Sequence, residues 1–192
     1  MSKRQPKVFV ISGPSRAGKD AITSGLLRKR SLNLAKVVTA TSRPRRNDEV
    51  EGKHYYFLTP EEFKNKIDEG YFLEWAILRG GKYFGTPIEE FDRICARNKN
   101  VIMNIDVQGA KRLSRLRDDL VKIFIKPDSF DHVEKRMHEA GFGASEIKAR
   151  LADAKRELGE AKNYDYTVVN YEGRLDETIA AVAEIIKKET NL

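Results

Sequence analysis

Residues 13–20, Gly-Pro-Ser-Arg-Ala-Gly-Lys-Asp, hold the chemistry most readily read from this chain. Glycines at positions 13 and 18 allow the backbone to turn so that successive N–H groups converge on an anion, and the lysine adds a point charge. An apolar run at 8–11 precedes the loop, and the helix-compatible stretch AITSGLLRKR follows it. Strand, loop and helix N-terminus in that order is the arrangement in which backbone amides and the helix dipole bind phosphate. Gly13, Pro14, Ser15, Arg16, Ala17, Gly18, Lys19 and Asp20 are therefore candidate phosphate-binding residues, with Lys19 aimed at the β- and γ-phosphates of a nucleotide. Asp20 stands where such loops usually place the Ser or Thr that meets Mg²⁺. A carboxylate is itself a good ligand for a hard cation, so Asp20 is a candidate metal ligand.

Two other groups of residues could complete such a site. The apolar stretch VIMNIDVQG delivers Asp106 to the C-terminal end of a strand, where ligands bind in open α/β sheets and where an acid can hold Mg²⁺. The alternative for Asp106 is a helix cap. Further along, Arg43 and Arg46 flank Pro44-Arg45, and Tyr55 follows within HYYF. Guanidinium forks and a phenol suit a phosphate monoester, whereas the bland reading is a solvated basic turn. Glu74 lies between Leu73 and Trp75 in YFLEWAIL. A carboxylate there is exposed on an edge strand, or it is buried with donors such as the N1–H and N2–H of guanine.

The elements that must position these residues follow from hydrophobic pattern. Strand-like runs at 7–12, 36–41, 101–105, 121–125 and 165–169 alternate with helix-like stretches, which predicts an α/β fold with a parallel sheet covered on both faces. Helices are expected at about 145–162, capped by Ser145, and at about 174–189. The apolar stripe Ile147, Leu151, Ala154, Leu158, Ala161 reads as core packing. Residues 42–86 break this rhythm with aromatic, extended pieces around a helix opened by the capping box Thr59-Pro60-Glu61-Glu62. They are expected to form a small, mainly β insertion that walls a cleft.

Composition narrows the remaining classes. The chain has 192 residues, 40% hydrophobic and 34% charged, which fits a soluble globular domain. No apolar stretch is long enough for a membrane span, and the strand after MSKRQPK is too short for a signal-peptide core, so no membrane partner and a cytoplasmic location are expected. The single cysteine, Cys95, fits a reducing compartment and packing within a helix. The net charge of +7 is spread among interleaved acids, so no nucleic-acid partner is expected.

In order and at matching spacing, the segments GPSRAGK, TSRPRRNDEVEGKHYYF, FLEW, YFGTP, IDVQGA, IFIKP and YDYTVVN resemble guanylate kinase, from residue 8 to about residue 170. The resemblance implies a P-loop NTPase-type core with a GMP-binding insertion and a helical lid. Its expected boundaries are 1–38, 87–130 and 158–192 for the core, 39–86 for the insertion and 131–157 for the lid. It implies ATP-dependent phosphorylation of GMP to GDP with Mg²⁺, ATP and GMP as small-molecule substrates, and a monomer or homodimer. Carried over by position, it implies that ATP is held by residues 13–20. GMP falls to Thr39, Arg43, Arg46, Tyr55, Glu74, Phe84, Thr86 and Asp106, and metal to Asp20 and Asp106. Catalysis falls to Lys19, Arg43, Asp106, Arg136 and Arg150.

The chain also departs from that pattern. Asp20 replaces the loop hydroxyl, Arg16 a glycine, Phe84 a tyrosine and Ala140 a lid arginine, and Gly80-Gly81-Lys82 is one residue longer than usual. Two expectations follow: nucleotide binding that depends strongly on Mg²⁺, and Arg16 supplying charge lost at Ala140. The alternatives are a ribose 1,5-bisphosphate phosphokinase of the same fold and a catalytically weak binding module.

Overall fold

The computed structural model describes residues 6–78 and 80–191; of the N-terminal MSKRQPK, residues 1–5 lie outside the described residues. Five strands form the main sheet: β1 (Val8–Ser12), β2 (Leu34–Lys36), β7 (Asn100–Asn104), β8 (Leu120–Pro127) and β9 (Tyr166–Asn170). Their spatial order is β2-β7-β1-β8-β9, and every pairing is parallel. All five residues of β1 are buried, as expected of a strand with helices on both faces. On one face α1 (Lys19–Arg28) and α7 (Leu175–Thr190) bring Ile22, Leu26, Ile179, Val182 and Ile186 against Phe9 and Ile11. On the other, α3 (Ile88–Ala96) and α4 (Val107–Leu116) bring Phe91, Ile94, Ala110 and Leu113 against Val8 and Val10. Cys95 is half-buried at the edge of this second layer, consistent with packing. Among the described residues no helix is long and apolar enough to cross a membrane.

A second sheet has the order β4-β3-β6-β5, from β3 (Thr39–Thr41), β4 (Tyr55–Phe57), β5 (Phe72–Leu78) and β6 (Lys82–Pro87). Helix α2 (Pro60–Asp68) packs Phe63 against its Phe72 and Ala40. The capping box forms: Thr59 Oγ1 accepts from the Glu62 N–H at 3.1 Å, and Glu62 Oε2 accepts from the Thr59 N–H at 2.6 Å. The expected single strand at 36–41 is instead two, because the chain leaves the main sheet at Lys36 and enters the second at Thr39.

A pair of helices, α5 (Phe130–Glu139) and α6 (Ala144–Leu158), packs around its own cluster of Val133, Met137, Phe142, Ile147 and Leu151. Two expectations are corrected here. The N-cap of α6 is Gly143, which leaves Ser145 inside the first turn, and the α-helix stops at Leu158, where one 3₁₀ segment (Gly159–Asn163) takes over. Of the expected apolar stripe, Ile147 and Leu151 do pack in a core, the one this helix pair forms for itself.

Candidate active site

Helix α1 begins at Lys19, directly after Gly18, whose φ of 93° lies in the left-handed region. A Cβ there would also fall 2.3 Å from Asn170 Nδ2, so position 18 demands glycine on two counts. Asn170 ends β9 and buttresses the loop: its Nδ2 donates to the Ala17 carbonyl at 2.9 Å, and its Oδ1 accepts from Thr178 Oγ1 at 3.0 Å. Lys19 Nζ curls back to donate to the carbonyls of Gly13 (2.7 Å) and Pro14 (2.8 Å). Burial pushes its pKa down, while the charges of Asp20, Glu157 and Asp106 pull it back up. Asp20 accepts from Asn104 Nδ2 at 2.6 Å, a bond from the end of β7 to the start of α1.

Lys19 and Asp20 open, with Ser15, onto a cleft of about 960 Å³ whose other wall carries Thr39, Tyr55, Glu74 and Phe84. Glu74 is only 5% exposed although β5 is an edge strand. Its Oε1 accepts from Thr86 Oγ1 at 2.7 Å across the β5–β6 ladder, where the two residues are register partners. Helix α4 closes over it, and a Cβ on Gly109 would come within 2.6 Å of Glu74 Oε2. Arg112, one turn on from Gly109, stacks on Trp75 at 4.2 Å. Burial raises the Glu74 pKa to about 7, against the opposing effect of the Thr86 hydrogen bond. Asp106 is the N-cap of α4: its Oδ1 accepts from the N–H groups of Gln108 (2.7 Å) and Gly109 (3.2 Å), and burial raises its pKa as well. The helix-cap reading of Asp106 therefore holds, in a residue that also lines the cleft.

Tyr55 packs edge-on against Phe84 and Phe57 with centroids 6.0 and 5.8 Å apart, and burial raises its pKa. The basic residues gather at the mouth, each in a particular hold. Arg43 forms a bidentate pair with Glu49, at 2.6 and 3.0 Å, and leans on the Tyr55 ring at 5.4 Å. Its pKa is raised first by that pair. Arg46 is exposed beside it, its backbone N–H donating to Glu49 at 2.9 Å. Arg136, on α5, pairs with Glu172 and donates to the Arg16 carbonyl at 3.0 Å. Arg150, on α6, donates twice to Glu146 Oε1, at 2.7 and 2.9 Å. Position 140, the C-cap of α5, lines the same mouth with an alanine.

The arrangement is a glycine-bounded loop and its lysine facing a buried carboxylate, with arginines on the rim. Its relatives are specific. The family profile described as guanylate kinase matches residues 5–189. A guanylate kinase of Porphyromonas gingivalis is 38% identical over 183 residues, covering 94% of this chain and 95% of its own. One of Mycoplasmoides gallisepticum is 37% identical over 189 residues, covering 98% and 95%. The crystal structure of guanylate kinase from Anaplasma phagocytophilum superposes with a TM-score of 0.77 at 29% identity, covering 98% of this chain and 88% of that one. This chain belongs to the guanylate kinase family.

Within this guanylate kinase-family site, several residues escape a reading of the sequence. Glu157 reaches the cleft from the end of α6, near Lys19 and Asp106, and burial raises its pKa to about 7. In sequence it sits beside Leu158 of the apolar stripe and reads as an ordinary solvated helix position. Glu172 is equally silent because its partner Arg136 lies 36 residues away, and Glu49 because the irregular turn that returns it to Arg43, six residues earlier, carries no periodic signal. Asn104 and Asn170 both end strands, and a polar residue closing an apolar run is the one signal that could have marked them.

Proposed function

We propose that this chain transfers the γ-phosphoryl group of ATP to GMP, yielding ADP and GDP. The observation that carries the reading is Glu74: a buried carboxylate, oriented by Thr86, in the same cleft as Lys19. Ionised, it accepts hydrogen bonds from N1–H and N2–H of guanine, a demand that a ribose bisphosphate does not make. Thr39, Tyr55, Phe84 and Thr86 line or support the same wall, and Arg43 and Arg46 take the GMP phosphate. On the other side the amides of residues 13–20 and Lys19 hold the β- and γ-phosphates of ATP. The bond from the γ-phosphorus to the β,γ-bridging oxygen breaks as one to a GMP phosphate oxygen forms, and ADP leaves with the bridging oxygen. Lys19, Arg43, Arg136 and Arg150 stabilise the charge on the transferring group, which is most of what such catalysis requires.

Among the described residues no cluster of three or more His, Cys, Asp or Glu side chains could hold an ion. Mg²⁺ needs none, since one or two carboxylates plus substrate phosphates and water suffice. Asp20 and Asp106 fit that role, as hard oxygen donors lining the cleft beside Lys19. When bound there with ATP, Mg²⁺ supplies neutralisation of phosphate charge. Residues 131–157, most of the α5–α6 pair, serve as the lid over a core of residues 1–38, 87–130 and 158–192, and residues 39–86 serve as the GMP-binding unit. In this assignment Arg136 and Arg150 reach the phosphates by exchanging Glu172 and Glu146 for them.

A coupled assay of ADP release with Mg²⁺-ATP and a panel of GMP, dGMP, AMP, UMP and ribose 1,5-bisphosphate tests the reading. Turnover is expected with GMP and, among bases, to be selective for guanine. Turnover with the ribose compound alone, or with none of the panel, rejects it.

A further inference from the structure

Arg16 occupies the middle of the phosphate loop with φ at 64°, one of four non-glycine residues with positive φ among the described residues. The other three are asparagines, which tolerate that region; an arginine does not do so readily. The backbone is held in place by Arg136, which donates to the Arg16 carbonyl at 3.0 Å. The side chain crosses the mouth of the cleft, and its guanidinium rests over the Phe142 ring at 5.3 Å. Arg150 leans on the same ring at 4.3 Å. Arg43, Arg136 and Arg150 each have a glutamate partner, whereas Arg16 makes no salt bridge to any of the described residues. Its electrostatic neighbours are mostly cations. Partial burial, then Arg46 and Arg150, hold its pKa down, with Asp20 alone opposing. An aromatic ring is a weak substitute for an anion at such a place.

We infer that Arg16 is a phosphate-contacting catalytic residue, a loop-borne guanidinium that leaves Phe142 for the phosphate chain of ATP as the cleft fills. The inference rests on the phosphoryl-transfer reading above. It adds a cation that arrives from the loop itself, three residues before Lys19, rather than from the lid. Strain at φ 64° is then retained because it aims the side chain across the mouth. A bidentate fork at the transferring group is strong enough to matter for rate as well as binding, since arginines in that position can contribute several powers of ten.

The test compares the unaltered chain with Arg16→Ala, Arg16→Lys, Arg16→Gly and Phe142→Leu. Each is read by kcat, by KM for ATP and GMP, by calorimetric affinity for Mg²⁺-ATP and by thermal midpoint. Arg16→Ala should lower kcat at least about thirtyfold and weaken ATP at least about fivefold, with KM for GMP moving less than threefold. Arg16→Lys should fall between, and free guanidinium ion should restore part of the Arg16→Ala rate. Arg16→Gly should lose the same activity while its thermal midpoint stays level or rises, which separates the effect from misfolding. Phe142→Leu should keep kcat within about threefold. A kcat within threefold in Arg16→Ala overturns the inference, and so does a Phe142→Leu loss equal to that of Arg16→Ala, which would make the contact lid packing. If the unaltered chain transfers nothing to GMP, the functional reading fails; equal ATP affinity in Arg16→Ala and the parent then rejects the present inference separately.

Discussion

In the proposed ATP site, a carboxylate one residue past Lys19 puts negative charge beside the phosphates. Asn104 takes one of the Asp20 oxygens at 2.6 Å, which fixes the group but leaves its charge in place. At the few-ångström separations of such a loop, two like charges repel by about 1 kcal/mol in water and about 4 at an effective dielectric of 20. A cation between them reverses the sign. Asp20→Ser should therefore improve ATP affinity in EDTA while changing it little in Mg²⁺, shrinking the ratio of metal-free to metal-bound Kd about tenfold. Titration calorimetry under both conditions checks this, and an unchanged ratio rejects it. Residue-level chemistry of this sort is legible in sequence when the neighbours are close in the chain: Gly13, Gly18, Lys19 and Asp20 declare themselves together. Asn104 does not, because what makes it matter is a contact 84 residues away along the chain.

At the scale of elements, hydrophobic pattern locates four of the five main-sheet strands; the run at 36–41 touches β2 only at Lys36 and otherwise covers β3 of the second sheet. Residues 37–41, Val-Val-Thr-Ala-Thr, are all apolar or β-branched, and no period-2 signal marks a change of sheet between Lys36 and Thr39. Ser145 misled for a related reason: a good capping side chain two residues past Gly143 carries no sign that the helix has already begun. The burial of Glu74 was likewise undecidable from β5 alone, since α4 supplies the cover through Gly109. The most consequential junction between elements is Asn170, where β9 holds the loop before α1 against α7. Asn170→Ala leaves the Ala17 carbonyl and the Thr178 hydroxyl without this buried partner, at a cost of about 2–3 kcal/mol. Urea unfolding should show that loss, and KM for ATP should rise severalfold as the loop slackens. Stability within 0.5 kcal/mol of the parent, by the same measurement, would contradict the buttress.

For the molecule as a whole, the buried acids Glu74 and Glu157 make stability depend on pH, and the proposed role of Glu74 sets that dependence against substrate binding. Burial holds Glu74 and Glu157 near a pKa of about 7, above their ordinary value of 4.5. Between those values the folded chain binds protons that the unfolded chain has released, so these groups destabilise progressively as pH rises from about 4.5 to 7, and the effect levels above that. For Glu74, which is 5% exposed, the full shift corresponds to at most about 3 kcal/mol. Asp128 acts in the opposite sense. Despite burial, the Glu172 N–H, His132 and the Ser129 N–H hold its pKa down to about 2, so its contribution is lost only below about pH 4. The thermal midpoint of the ligand-free chain should therefore fall from pH 5 to pH 8, and Glu74→Gln should flatten part of that slope by stabilising the protein at pH 8 but not at pH 5. In the proposed role of Glu74 guanine needs the carboxylate ionised, so affinity runs the other way: one unit below its pKa only about a tenth of Glu74 is charged, and GMP binding should weaken up to about tenfold between pH 8 and 6. Because the GMP phosphate also titrates near pH 6, guanosine binding in the parent and in Glu74→Gln isolates the carboxylate. A parent whose guanosine affinity is flat across that range, or a Glu74→Gln chain no more stable at pH 8, would sever the proposed link between base reading at Glu74 and the stability of the fold.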